Sequence, residues 1–317
     1  MTILVTGSAG FIGFHLAKYL LQKRIKVIGI DNFNPYYDTT LKEDRNKILE
    51  QYSHFKLYRG DLKNLNFVKR IFQRNKIDKV CNLAAQAGVR YSLTHPHIYI
   101  QSNLVGFTNL IDQAKEHKVQ NFVYASSSSV YGSNKNMPFR VQARVDRPIS
   151  LYAATKKANE LIAHSYHHLY GLKCTALRYF SVIGPWGRPD CALFKFTKKI
   201  INGEPIAVYN FGKMKRDFTY IDDIVKGTAA ALQKSYPFKI FNLGNNKTVS
   251  LEHFIQCIEK ELGKKAKKKM LPLQPGDVVG SRADIKESIE KLSWKPQVST
   301  EEGIKRFIKW YREYYKI

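Results

Sequence analysis

Tyr152 and Lys156 stand four positions apart in the string SLYAATKKANEL. On a helix that spacing puts a phenol and an ammonium on one face, a turn apart. A phenol ordinarily titrates near ~10, so at neutral pH it is a poor base. A cation a few ångströms away favours the phenolate and draws that value down. Upstream, the apolar segment NFVYA runs into the serines Ser126 to Ser129. A serine hydroxyl near the end of that segment can share a moving proton. Together these groups are equipped to take a proton from an alcohol while a hydride leaves its carbon. A Tyr-x-x-x-Lys pair alone is common on helices, so the reading needs a place for the hydride to go.

That place is at the start of the chain. TILVT reads as a strand, Gly7, Gly10 and Gly13 as a turn enclosing Phe11 and Ile12, and FHLAKYLLQK as a helix. Strand, glycine turn and helix start cradle a pyrophosphate on backbone N–H groups and the positive end of a helix dipole. The spacing is G-x-x-G-x-x-G. The second strand, KVIGI, ends at Asp31 and Asn32. A carboxylate there suits the adenosine ribose hydroxyls and repels a 2′-phosphate, which favours NAD over NADP. The third strand ends at Gly60, Asp61 and Leu62; Asp61 either accepts from the adenine amino group or caps the next helix. The fourth, DKVCNLAA, ends in Ala84 and Ala85, small enough to let a dinucleotide pass, and the loop through Arg90 faces the same crevice.

A long helix over 96–116 containing Asn103, the strand NFVYASS, a helix over 151–170 and the strand LKCTALRYF complete the alternation. It predicts an α/β fold: a Rossmann-type doubly wound parallel sheet over residues 1–180. A short extra helix is expected within 32–50. After Ser181 the Pro- and Gly-rich VIGPWGRPD breaks the pattern. Residues 181–317, including YPFKIFNLG, read as a smaller mixed α/β substrate-binding lobe, with some exchange of chain between lobes. Substrate should lie in the cleft between them.

Composition narrows the class. The 317 residues are 44% hydrophobic, enough for a large core. No apolar run approaches the ~18–20 residues of a membrane span. The start lacks a basic leader and goes straight into strand and turn, so a cytoplasmic address is expected. Cys81, Cys174, Cys191 and Cys257 show no metal-ligand spacing; reduced thiols and no metal are expected. The net charge of +26 suits an anionic partner such as nucleic acid, or simply records Lys in place of surface acids. The densest cluster, Lys264–Lys265 and Lys267–Lys269, follows Gly263 at a helix end, where cations suit the dipole. A nucleic-acid partner is therefore not expected.

GSAGFIG, SSSSVYG, YAATK and RDFTYIDD resemble the extended short-chain dehydrogenase/reductase family of sugar-nucleotide epimerases. DNFNPYYD, LAAQAGVRYS, GPWGRPD, FGKMKRDFTYIDD and MLPLQPGDV are similar to the UDP-glucuronate 4-epimerases within it. The resemblance implies that Tyr152 takes the proton from the sugar 4-hydroxyl. Hydride passes from C4 to NAD, the 4-keto sugar turns over about its pyrophosphate, and hydride and proton return to the other face. It implies Ser127 on the 4-oxygen and Lys156 on the nicotinamide ribose. Asn103 and Tyr179 would contact the cofactor, and Arg216 the diphosphate. Val208, Tyr209 and Asp277 would lie around uridine. Related dehydratases carry an Asp-Glu pair where this chain has Ser128–Ser129. Without that acid, a 4-keto uronate is restrained from losing carbon dioxide by neutral donors, for which Ser128, Ser129 and Ser181 are candidates. Arg188 is the nearest cation and Arg90 a further substrate contact. Two strings depart from the pattern. Ile183 replaces the usual tyrosine after Ser181-Val182, and RVQARVDRP replaces a commonly acidic segment. The resemblance also implies a homodimer through the helices near 96–116 and 151–170. The alternatives are a 4-epimerase of another UDP-hexose or hexuronic acid, and a non-catalytic NAD-bound protein that binds RNA or another acidic partner.

Overall fold

A computed structural model describes all of residues 1–317. Six strands, β1 (Thr2–Thr6), β2 (Lys26–Asp31), β3 (Phe55–Arg59), β4 (Lys79–Asn82), β5 (Asn121–Ser127) and β6 (Cys174–Tyr179), alternate with helices. All pair in parallel, in the order β6, β5, β4, β1, β2, β3. The chain winds outward from β1 to β3, then returns to wind the other way from β4. Connections therefore diverge between β1 and β4, and ligands of such sheets bind in the crevice beyond that point.

The residues dictate this arrangement. β4 and β6 are buried along their whole length, the continuous burial of strands covered on both faces. In β1, Ile3 and Val5 enter one hydrophobic core and Leu4 the other, as the two-residue period of a strand requires. The helix α1 (Phe11–Gln22) packs Phe14, Leu16 and Ala17 into the first of these cores. The short helix expected within 32–50 is Thr40–Glu50.

The sheet has a seventh strand, Phe238–Leu243, parallel to β6. The sequence reads this segment as part of the smaller lobe, with some exchange of chain between lobes expected. Alternation alone does not say which sheet a strand will join, and the exposed edge of β6 takes it. The rest of the chain after Ser181 packs on a third core that includes Phe194, Ile206, Val208, Phe254 and Phe307. Three two-stranded pairs brace it: Ser181–Ile183 with Phe218–Tyr220, Ile206–Tyr209 with Lys268–Leu271, and Lys215–Arg216 with Val249–Ser250.

Two helices matter most to the site. Leu151–Tyr170 starts at Ser150, whose hydroxyl accepts from the Ala153 N–H (3.2 Å), and ends at Gly171 in the left-handed region. The long helix expected over 96–116 is interrupted by a wide π turn at Ile100–Val105. Such turns displace side chains from helical register, and this one carries Asn103. No helix is long and apolar enough to cross a membrane.

Candidate active site

A cleft of about 930 Å³ runs along the carboxyl edge of the sheet and under the smaller lobe. Its floor at one end is the glycine turn. Gly7 has φ +68°, and a Cβ there would stand 2.9 Å from the Ala84 nitrogen. A Cβ at Gly13 would stand 2.0 Å from the Gly7 carbonyl oxygen. The turn therefore lies flat between β4 and α1 only because it has no side chains at these points. The first turn of α1 has no side-chain cap and no acidic residue, so its N–H groups and positive dipole end are left for an anion.

Asp31 sits beside this turn, buried, accepting from Ala9 N–H (3.0 Å) and Phe33 N–H (2.9 Å). Each carboxylate oxygen keeps capacity to accept again. Asp61 also lines the cleft, and it accepts from the Lys63 N–H (3.0 Å) and the Asn32 amide (2.9 Å). The next helix, Leu65–Arg74, is capped by Asn64. Asp61 thus shapes the turn before the helix without being its cap. Phe11, Ile12, Leu62, Ala84 and Ala85 complete the lining here. A glycine cradle, an uncapped helix start and a fixed carboxylate suit a dinucleotide.

Ser127, Tyr152 and Lys156 open on the middle of the same cleft. The Ser127 oxygen accepts from the Ser129 N–H (3.1 Å) and the Ser129 hydroxyl (2.9 Å). Its own proton is thereby left to donate into the cleft. Lys156 is buried and donates to the Ala125 carbonyl (2.8 Å); burial pulls its ammonium down to about 8. Burial also raises the Tyr152 phenol above its ordinary value, against the Ser127 hydrogen bond and the positive charge of Arg188. Lys156 was expected to lower this phenol. Instead the ammonium is held on a backbone carbonyl, and desolvation decides the direction. Tyr99 packs edge-on against Tyr152 with centroids 6.1 Å apart, and its hydroxyl donates to Ala87 and Gly88 carbonyls.

Several expected contacts lie elsewhere. Asn103 does not line the cleft. It is buried, accepts from Gln86 N–H (2.8 Å) and donates to the Gln86 carbonyl (3.0 Å) and Thr155 (3.0 Å). The π turn swings it inward, where it ties the loop after β4 to the helix of Tyr152. Tyr179 lines the cleft with its body, but its hydroxyl is paired with Thr228 (2.9 Å) in the interior. Ser128 and Ser129 are not in the cleft wall, because the chain turns away from β5 into a 3₁₀ turn at Ser128–Tyr131. Val208 is fully buried and points into the third core, while its strand neighbours Ala207 and Tyr209 face the cleft.

The far end is built from charged side chains. Arg216 donates to Asp277 (2.7 Å), and Arg90 reaches the other oxygen of the same carboxylate (3.6 Å). The Arg90 guanidinium also lies over the Tyr209 ring, 4.6 Å from its centroid. Ser181 also lines the cleft. Arg188 holds Asp190 by two bonds, Nε to Oδ1 (2.9 Å) and Nη2 to Oδ2 (2.5 Å). The Tyr36 hydroxyl donates to that carboxylate at 3.3 Å, and burial with the neighbouring negative charge pushes this phenol up to about 12.

Asp190 and Tyr36, in the strings GPWGRPD and DNFNPYYD, are not among the residues the sequence singles out. The signal was an acid two residues from Arg188. Arg45 is not among them either; fully buried, it donates to Ala9 (2.8 Å) and Trp186 (2.6 Å) carbonyls and so joins the glycine turn to the segment carrying Arg188.

Residues 3–244 match the NAD dependent epimerase/dehydratase family, and the chain belongs to that family. It is 48% identical to Protein CapI of Staphylococcus aureus over 334 residues, covering all of both chains. It is 44% identical to UDP-glucuronate 4-epimerase 2 of Arabidopsis thaliana over 334 residues, all of this chain and 77% of that one. Its fold superposes with a TM-score of 0.94 on a UDP-glucuronic acid 4-epimerase of Bacillus cereus solved with UDP-glucuronic acid and NAD, at 35% identity, covering 99% of this chain and all of that one. The doubly wound fold expected from the sequence is the one the chain adopts.

Proposed function

We infer that this chain is an NAD-dependent epimerase that inverts C4 of UDP-glucuronate to give UDP-galacturonate. The observation that carries the reading is one continuous cleft. It joins a glycine cradle for a dinucleotide, a phenol with a serine donor beside it, and arginines placed for a nucleotide diphosphate. Relatives along the whole chain support the same reaction.

NAD, when bound, accepts the C4 hydride and gives it back, so no net oxidation results. The residues of the chain do the rest. Tyr152 takes the proton of the 4-hydroxyl and returns it from the same position. Ser127, its lone pairs filled by Ser129, donates to the 4-oxygen as charge develops there. Lys156, now on the Ala125 carbonyl, holds the cofactor ribose from the same helix face as the phenol. Gly7, Gly10, Gly13 and the α1 N-terminus hold the pyrophosphate, and Asp31 the adenosine ribose. Arg216, Arg90 and Tyr209 hold the UDP end while the sugar turns over. Ser181 and Arg188 face the uronate carboxylate. That role was also expected of Ser128 and Ser129; their position makes Ser129 a brace for Ser127 instead. No carboxylic acid stands at either of those positions to promote elimination.

Residues 1–180 supply the dinucleotide half and 181–317 most of the sugar-nucleotide half. The protein works in the cytoplasm as a homodimer, paired through the helices near 96–116 and 151–170, where Leu161 is 58% exposed. The test is incubation of pure protein with UDP-glucuronate, with products resolved by chromatography. A UDP-galacturonate peak approached from both directions is expected. Turnover of UDP-glucose or UDP-N-acetylglucosamine alone would move the assignment to another sugar, and no turnover of any would sink it.

A further inference from the structure

We propose that His253, Cys257 and Glu301 bind a borderline-soft divalent cation, zinc being the best match, outside the catalytic cleft. His253 and Cys257 occupy positions i and i+4 of the helix Leu251–Leu262, so both side chains leave one face. Glu301 comes from the first turn of the helix Thr300–Tyr315. The two helices pack through Phe254, Ile255 and Ile258 on one side and Ile304, Phe307 and Ile308 on the other. One potential ligand atom from each of the three residues lies within 4.8 Å of the others.

The separations decide which ion fits. With Zn–S near ~2.3 Å and Zn–N and Zn–O near ~2.0–2.1 Å, a tetrahedral site has N···S about 3.5 Å and N···O about 3.3 Å. The Cys257 sulfur is 3.5 Å from His253 Nε2, and Glu301 Oε1 is 2.9 Å from the same nitrogen. To reach that spacing the Glu301 oxygen must draw back from the imidazole nitrogen by about 0.4 Å, and its side chain is half exposed. Imidazole, thiolate and carboxylate are ligands that zinc accepts together, whereas calcium and magnesium take oxygen. Both ligand-bearing turns are already fixed by caps. The Ser250 hydroxyl accepts from His253 N–H (3.2 Å) and the Ser299 hydroxyl from Glu302 N–H (3.2 Å). Ligation displaces the thiol proton to solvent, so affinity rises with pH. Without an ion the same atoms form a surface imidazole–carboxylate pair, which alone contributes little.

Three protein ligands leave the fourth tetrahedral position to water, and the location lets the ion brace the two helices. Helix Leu251–Leu262 follows the strand Val249–Ser250, which pairs with Lys215–Arg216. A metal joining the two helices pins the strand pair that carries Arg216 into the cleft.

Cobalt titration of the full-length NAD-loaded protein tests this. Stoichiometric cobalt should produce a thiolate-to-cobalt charge-transfer band and intense tetrahedral d–d bands, both erased by zinc. Cys257→Ser should lose the charge-transfer band, Cys191→Ser should keep it, and Glu301→Gln should weaken binding about 10-fold or more. Zinc should raise the melting temperature of the wild type and leave that of His253→Gln unchanged. No charge-transfer band, or one that survives Cys257→Ser, overturns the site, as does an unaltered affinity in Glu301→Gln.

Discussion

The two ends of the cleft are made of different material. At the dinucleotide end the shape is backbone. Gly7 has a positive φ, Gly13 sits where a Cβ would meet a carbonyl oxygen at 2.0 Å, and Asp31 is held by two main-chain N–H groups. At the sugar-nucleotide end the shape is side chain. Arg90, Arg216 and Asp277 come from three distant segments and meet through ion pairs, and Arg188 is balanced by Asp190. A backbone-built site admits almost no variation at its glycines. A side-chain-built site is retuned by one substitution without refolding. That difference lets one cradle serve enzymes that act on different sugars.

Tyr152 stands where the two ends meet, and its removal separates chemistry from binding most sharply. Tyr152→Phe keeps the packing against Tyr99 and loses the proton acceptor. Turnover of UDP-glucuronate should fall by about 10³-fold or more, within the range of a lost general base. NAD and UDP-glucuronate should bind with unchanged affinity by calorimetry. Turnover within a few-fold of wild type would remove this phenol from the reaction.

Gly13→Ala attacks the backbone end. The added methyl meets a carbonyl that cannot move without shifting the turn, and overpacking of this kind costs about 1–3 kcal/mol. NAD affinity should drop about 10- to 100-fold by fluorescence titration, while affinity for UDP stays the same. A matched loss for both ligands would mean that the ends are coupled and the contrast between them is false.

The contrast also explains what the sequence made legible. Glycine spacing, strand alternation and the Tyr-x-x-x-Lys pair are local patterns, and local geometry turns them directly into a cradle, a parallel sheet and one helix face. Asn103 was legible as a polar residue in a helix, but the π turn that swings it inward leaves no periodic signature. The burial of Val208 was within reach, since a strand that shows Tyr209 to the cleft must turn its neighbour away. The partnership of Arg188 with Asp190 and Tyr36, and of Arg90 with Asp277, depends on which loops meet. Arg45 lies in the charged string KEDRNK, which reads as a solvated helix face, yet its guanidinium is the buried link between the glycine turn and Trp186. Nothing in that string announces burial.

Asp190→Asn probes the side-chain end. It leaves the Arg188 charge without its partner in a largely desolvated wall. Breaking a fully buried pair costs about 3–5 kcal/mol, and these groups, roughly a fifth to a quarter exposed, should cost about 1–3 kcal/mol. The free protein should melt lower. UDP-glucuronate, whose carboxylate replaces the lost charge, should restore more of that stability than UDP-glucose does. Equal recovery with both sugars would show that Arg188 does not sense the acid.

The smallest effect is expected at Ser129, and it decides to which end the serine run belongs. If Ser129 acts only through Ser127, removing its hydroxyl in Ser129→Ala frees one lone pair and lets the Ser127 proton rotate away from the 4-oxygen. One hydrogen bond of this kind is worth about 0.5–1.5 kcal/mol, so kcat should fall about 3- to 10-fold. KM should hold, and Ser129→Thr should restore the rate. The outcome to watch for is a rise in KM confined to UDP-glucuronate, with UDP-glucose unaffected. That pattern would make Ser129 a carboxylate contact, reached by movement of the 3₁₀ turn on binding, and would shift the boundary between backbone and side-chain control to the turn that follows β5.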